Sequence, residues 1–472
     1  MATDPGRVWI VGGASYQDLL AETGRLANLL VRLGLRKGDR LLLQVEKCEA
    51  VLSLYLACLR VGVIFLPVNP GYTAIETEHF LHDAEPALAV TDRESVEGLA
   101  VHGVSVVELH TLLDQAEGQE ADFVDPGHAP DDLAAILYTS GTTGRSKGVM
   151  LTRENLASNA EALVGLWRFS EADILLHALP VFHTHGLFVA TNCVLYSGAS
   201  MLFQRAFQPA AVLEALPKVT VMMGVPTFYT RLLAAPGLTR ETTERVRLFI
   251  SGSAPLSPAT HDEWRARTGH AILERYGMTE TNMITSNPYD GERRAGTVGM
   301  PLPGVDVRIT GPAGVLPVGE AGAIEVRGPN VFKGYWRLPE KTAEEFRDGW
   351  FVTGDMGAFD DRGYLSILGR AKDLVITGGL NVYPAEVEAA LDDLPGVAAS
   401  AVIGVPHPDF GEAVVACVVG KVDPESVRVA LRDRLAGFKI PKRVILMDEL
   451  PRNAMGKVQK AELRRIYQGL FA

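Results

Sequence analysis

Helical stretches with one apolar face alternate with short, wholly apolar runs along most of this chain, and that alternation restricts the fold more than any other feature. From Tyr16 to Leu33 the residues Leu19, Leu20, Thr23, Leu26, Ala27 and Leu30 share a helical face, Gly34 ends the stretch, and RLLLQVEK follows as a strand. Ala50 to Val61 and VIFLPVN repeat the pair, and LAAILYT, SMLFQ, VTVMMG, RLFISG and HAILERYG continue the series. Apolar strands separated by helices predict an α/β class with largely parallel sheets. After about Leu365 the rhythm resets: VEAALDDL and VRVALRDRLAGF read as helices, and ASAVIGVP, EAVVACVVG and KRVILMDELP as strands. Since 472 residues exceed what one core usually holds, a large domain of residues 1–371 and a small α/β domain of residues 372–472 are expected.

A formal charge of -12 argues against nucleic acid, which is bound through clustered Lys and Arg. Any anionic ligand must therefore be met by local cations. Cys48, Cys58, Cys193 and Cys417 form no CxxC pair and no zinc spacing, which suits core thiols in a reducing compartment. The apolar run from Val51 to Val68 is interrupted by Arg60, Gly62 and Pro67, so a helix followed by a strand is expected there and not a membrane span. No signal-peptide pattern opens the sequence, and the cytoplasm is the expected compartment.

The densest chemical signal is Tyr138 to Gly148, YTSGTTGRSKG, after an apolar strand and before a helix expected near Thr152. The hydroxyls of Ser140, Thr142 and Thr143, the backbone N–H groups around Gly141 and Gly144, and the cation of Lys147 suit a polyphosphate. The spacing is not that of a Walker A loop, where four residues separate the glycines and Lys follows at once.

YTSGTTGRSKG resembles the signature loop of the adenylate-forming superfamily of acyl-CoA synthetases, luciferases and peptide-synthetase adenylation domains. Other motifs follow in that superfamily's order. YGMTE resembles its nucleotide segment, which implies that Tyr276, next to Gly277, stacks on adenine, Thr279 contacts the adenylate phosphate, and Glu280 holds Mg²⁺ together with Thr143. TGD, Thr353 to Asp355, implies that Asp355 accepts the ribose hydroxyls. GRAKDLVITGG implies Arg370 toward the nucleotide, a hinge at Lys372 and a thiol tunnel beside Gly378 and Gly379. PRNAMGKVQK assigns Lys457 to bridge the acid and the α-phosphate. The implied reaction is attack of a carboxylate on ATP, loss of pyrophosphate, and displacement of AMP by coenzyme A after the small domain rotates. Lys147, Lys457 and Mg²⁺ would offset the charge that gathers as two anions approach.

For the acid, ALPVFHTHGLFVA, GVPTFYTRLL, FISGSAPLS and LERYGMTETNMITSNP most resemble malonyl-CoA synthetases. Arg275, immediately before YGMTE, would place a guanidinium near the acyl pocket, where it suits a second carboxylate. Arg231 and Ser253 match other malonate-contacting positions of those enzymes. His183 is expected to gate or orient the substrate, and Thr184, Met278 and Met283 to limit a substituent on the malonate α-carbon, with methylmalonate tolerated. A structural ion pair is the competing reading of each arginine, and a ligase for another short or medium carboxylate is the competing function. His183-Thr184-His185 has no third ligand at zinc spacing.

Overall fold

The computed structural model describes residues 4–92, 104–139, 146–378, 380–453 and 456–471. Two seven-stranded sheets come first. The first runs, in spatial order, Gly334–Tyr335, Lys147–Thr152, Leu133–Thr139, Ile64–Pro67, Arg40–Gln44, Leu88–Thr91 and Val106–Glu108. The second runs Met300–Pro301, Asn282–Ser286, Leu273–Met278, Leu248–Ser251, Val221–Gly224, Ile174–His177 and Ser200–Phe203. In each, five neighbouring strands are parallel and the next pairing is an antiparallel hairpin. The described ends of the phosphate-loop motif, residues 138–139 and 147–148, lie in the first hairpin, and YGMTE lies in the second.

One apolar cluster joins both sheets through Trp9, Leu54, Phe65, Trp167, Leu175 and Phe188, all buried. Helix Arg153–Trp167 starts at Thr152, whose hydroxyl accepts from the N–H of Asn155 while the Asn155 side chain returns to Thr152 N. Its residues also brace the second hairpin. Asn159 exchanges two hydrogen bonds with the backbone of Met283, at 2.9 and 3.2 Å, and the Trp167 indole donates to Ser286 Oγ at 2.9 Å.

The third sheet is antiparallel, built mainly from Asp306–Gly311, Gly322–Arg327 and Trp350–Phe359, with Leu365–Arg370 paired to the last. The turn Ala371–Asp373 then leads into a fourth sheet of Val375–Thr377, Leu380–Val382, Val397–His407, Gly411–Gly420 and Arg443–Met447. Two apolar clusters of this last part draw only on residues from Val375 onward.

The sequence reading is altered in two places. Residues 147–152 form a strand antiparallel to Leu133–Thr139 that was not expected, and the helix expected near Thr152 begins at Arg153. KGVMLT is largely buried between Leu133–Thr139 and Gly334–Tyr335, and Thr152 caps the helix that follows. The helix expected over VRVALRDRLAGF runs Pro424–Leu431 with Val427 and Leu431 buried, and Leu435 and Phe438 pack against the same core from the turns beyond its end. Val51 to Val68 forms the expected helix and strand, and among the described residues no helix is long and apolar enough to cross a membrane.

Candidate active site

Successive side chains of a strand point to opposite faces, so the strand Leu273–Met278 sends Arg275 and Tyr276 to different sides. On one side the Tyr276 hydroxyl donates to the carboxylate of Asp355. Arg370, directly opposite Asp355 in the third sheet, places Nε 2.8 Å from Asp355 Oδ1. The Asp355 N–H is held by Thr353 Oγ1 at 3.1 Å, and Arg370 Nη1 donates to Thr353 O at 3.4 Å. Burial raises the Asp355 carboxyl above its ordinary range, against the pull of Arg370. Gly277 lies at the register shift that follows Tyr276, and Thr279 and Glu280 form the turn of the hairpin.

Glu280 is buried and accepts a hydrogen bond from the Tyr335 hydroxyl at 3.1 Å. Lys147 stands over the same Tyr335 ring, 4.0 Å from its centroid, and 3.5 Å from Glu345 Oε1. Burial pushes the Glu280 carboxyl up, so its negative charge is poorly compensated by the protein. A hard divalent cation that shares one carboxylate with phosphate oxygens fits such a group. Among the described residues no cluster of three His, Cys, Asp or Glu side chains could hold a metal by itself. Ser140, Gly141, Thr142, Thr143 and Gly144 lie outside the described residues, as does Gly379.

On the other side Arg275 is only 3% exposed. Its guanidinium lies flat against Gly252, where a Cβ would stand 2.4 Å from Cζ, so any larger residue would displace it. Nε and Nη2 are buried without a hydrogen-bond partner, and among the described residues no carboxylate pairs with Arg275. Burial lowers its pKa to about 9. Ser253, in the left-handed region at φ 71°, brings Oγ to 3.3 Å from His185 Nδ1. The N–H of His185 meets His183 Nδ1 at 3.4 Å, so His183 carries its ring proton on Nε2. Burial, then the charges of Lys457 and Arg275, hold the His183 pKa at about 3. A neutral His183 thus stands within the field of both cations. Thr184 and Met283 are buried beside it in the chain and in the hairpin, and Met278 is half-buried.

Arg231 is exposed on helix Pro226–Leu233, one turn beyond Thr227, against which Gly456 packs. No hydrogen bond or ion pair among the described residues joins it to Arg275. Lys457 follows Gly456 in a tight turn: Asn453 N donates to Lys457 O at 2.9 Å, and Lys457 N donates to Asn453 Oδ1 at 3.0 Å. Desolvation and Arg370 lower the Lys457 pKa, while Asp355 and Glu280 oppose them. Its ammonium therefore faces the groups that surround both halves of the cleft. Lys372 lies in the turn between the third and fourth sheets, and Gly378, at φ 57°, donates to Phe410 O at 2.9 Å.

Residues 2–336 match the AMP-binding enzyme family, and residues 386–457 match the AMP-binding enzyme C-terminal domain. The chain belongs to the AMP-binding enzyme family. This AMP-binding enzyme superposes on ATP-bound MatB of Rhodopseudomonas palustris with a TM-score of 0.97 and 54% identity, over 100% of this chain and 98% of that one. It is 37% identical to a feruloyl-CoA synthase of Amycolatopsis, over 96% of this chain and 93% of the relative. It is 35% identical to a malonate–CoA ligase of Arabidopsis thaliana, over 96% of this chain and 84% of the relative.

Several groups of the enzyme's site carry no sequence signal of their own. Tyr335 and Glu345 reach Lys147 from a distant segment, and His185 was marked only as part of an HxH pattern. Glu274 is the least expected: its Oε1 accepts from Leu256 N at 3.1 Å, anchoring the loop that holds Ser253. Burial raises its pKa to about 8. A raised folded-state value means that the neutral acid stabilises the fold fully below the unfolded pKa and that this stability is lost as pH rises through about 8. Glu274→Gln, a permanent mimic of the neutral acid, should therefore melt a few degrees above the wild type in alkaline buffer and level with it in mild acid. Parallel melting curves across the whole range would contradict a buried neutral Glu274.

Proposed function

We propose that the chain is a malonate–CoA ligase: malonate and ATP give malonyl adenylate and pyrophosphate, and coenzyme A then displaces AMP to give malonyl-CoA. The feruloyl-CoA and malonate relatives, 37% and 35% identical, do not by themselves choose the acid. Arg275, without a carboxylate partner among the described residues, carries the choice. An isolated buried cation is costly, and Nε with Nη2 is the side of a guanidinium that grips a carboxylate with two parallel hydrogen bonds. An aryl or fatty acid would leave that fork empty, whereas the distal carboxylate of malonate would fill it.

In this reading Ser253 and Arg231 assist Arg275, His183 separates the two carboxylates, and Thr184, Met278 and Met283 bound the α-carbon. Tyr276 and Gly277 receive the adenine, Asp355 and Arg370 the ribose, and Ser140, Gly141, Thr142, Thr143 and Gly144 the phosphates. Glu280 and Thr143 would hold Mg²⁺, which supplies charge neutralisation for the departing pyrophosphate. Lys147 and Thr279 serve the phosphates, and Lys457 draws the reactive carboxylate onto the α-phosphorus. No protein nucleophile is required, so catalysis is positioning and charge stabilisation. Four free cysteines suit a cytoplasmic enzyme.

A panel of malonate, methylmalonate, acetate, propionate and ferulate, read by pyrophosphate release and coenzyme A consumption, tests this function. Malonate should exceed propionate in kcat/KM by at least about thirtyfold, the lower end of what a desolvated charge pair contributes. Methylmalonate should trail malonate by about 10- to 200-fold, the effect of a misfit methylene. Ferulate or propionate equal to malonate would refute the assignment.

The division at residues 371 and 372, with Lys372 as the hinge, belongs to the same reading. Lys372→Pro fixes φ near about -65° and restricts Ala371 before it. Thioester formation from supplied malonyl adenylate should fall by about tenfold or more, and pyrophosphate release by much less. A Lys372→Pro enzyme with both half-reactions intact would exclude the hinge.

A further inference from the structure

Lys47 is buried. It follows the strand Arg40–Gln44 of the first sheet and reaches into the second. Its Nζ donates to the carbonyls of His177 and Gln204, at 2.8 and 2.6 Å, and lies 3.0 Å from His177 Nδ1. The Phe203 ring covers it at 4.2 Å. Burial lowers the Lys47 pKa well below its ordinary value, but the three acceptors around Nζ match an ammonium, which has three donors and no acceptor, and make Nδ1 the acceptor. His177 Nε2 must then carry the ring proton, and it lies 2.9 Å from the carbonyl oxygen of Gly186. The opposite arrangement, with Lys47 as an amine accepting from Nδ1–H, would press an Nε2 lone pair against that oxygen.

His177 ends the strand Ile174–His177, and Gly186 lies in the π-helical turn His185–Ala190. Their hydrogen bond closes the base of the loop that carries His183, Thr184 and His185. Thr191 Oγ1 gives the same carbonyl a second bond at 3.0 Å. The loop has no slack: a Cβ on Gly186 would stand 2.0 Å from Pro180 O, and Leu187 N returns to His183 O at 3.0 Å. Moving Gly186 therefore moves His183 and His185. Single π-helical turns are rare and recur at functional sites.

We infer that Lys47 and His177 are positioning residues for the acid pocket: the buried ammonium fixes the His177 tautomer, and His177 clamps Gly186, which holds His183 and His185 toward Arg275 and Ser253. This rests on the assignment of that pocket to the acid. The test therefore uses whichever acid the wild type turns over fastest, so a wrong choice of acid shows in the wild-type panel and leaves the variant comparison intact.

Lys47→Met should raise KM for the acid by about tenfold or more, and Thr191→Val by about threefold, the range expected for a lost buried hydrogen bond. KM for ATP should stay within about twofold in both, because neither residue touches the nucleotide groups. His177→Gln, whose amide can accept from Lys47 and donate to Gly186, should stay closer to the wild type than His177→Ala in acid KM. A purely structural role would lower the melting temperature and the active fraction without separating the two KM values. An unchanged acid KM in folded Lys47→Met and Thr191→Val, or equal rises for acid and ATP, would overturn the inference. If Lys47→Met does not fold, Thr191→Val decides by the same criterion.

Discussion

Lys457→Ala is expected to lower pyrophosphate release by about 10²- to 10³-fold, the usual effect of removing one preorganised charge from a developing anion. The ammonium stands in the fields of Asp355, Glu280, Arg370 and Arg275, which face the ribose, metal and acid portions of the proposed site. Two anions must approach there, and Lys372, at the start of the small domain, shares only the Arg370 and Asp355 neighbours. Thioester formation from supplied malonyl adenylate should stay within a few-fold of the wild type, because that step follows withdrawal of Lys457. Equal loss of both half-reactions would show that the lysine supports the fold or both conformations, and its assigned role would fail.

Arg275→Ala should cost malonate about 2 to 5 kcal/mol of transition-state binding, since the distal carboxylate would be desolvated without a partner. At about 1.4 kcal/mol per decade, kcat/KM for malonate falls roughly 30-fold to several thousand-fold. The pocket makes the larger part of that range the better expectation. The guanidinium is 3% exposed and has no carboxylate of the protein to pair with among the described residues, so water and neighbouring groups offer little substitute. Steady-state kinetics with malonate, varied at saturating ATP and coenzyme A, measure the loss directly.

The alternation of helices and apolar strands made the central strands of the first two sheets and of the fourth readable, because most of their buried residues are apolar. The third sheet was not marked, and Trp350–Phe359 shows why. Its alternate, buried positions are Phe351, Thr353, Asp355 and Gly357, so the inward face carries polar and small residues and the period-two apolar signal disappears. Those same residues hold the Asp355–Arg370 pair. A strand of the candidate site thus hid itself from a hydrophobic pattern.

The site divides in a similar way. Residues within contiguous motifs, Tyr276, Glu280, Asp355, Arg370 and Lys457, were legible because each lies in a short run of fixed spacing. The partners that set their chemistry were not, since Tyr335 reaches Glu280, and Lys47 reaches His177, from far along the chain. Arg275 was legible as a charge next to a motif, but burial and the lack of a pairing carboxylate are properties of the fold alone. The competing reading of Arg275, a structural ion pair, finds no partner among the described residues.

The central claim, that Arg275 reads the second carboxylate of malonate, is tested most directly by the ratio of malonate to propionate kcat/KM in Arg275→Ala and in the wild type, beside thermal melts of both. Propionate has no distal carboxylate to lose, so its turnover should be nearly unchanged or improved while malonate collapses, and the ratio should fall by at least about thirtyfold without a matching loss of folded enzyme. An unchanged ratio, with both acids depressed alike, would contradict it.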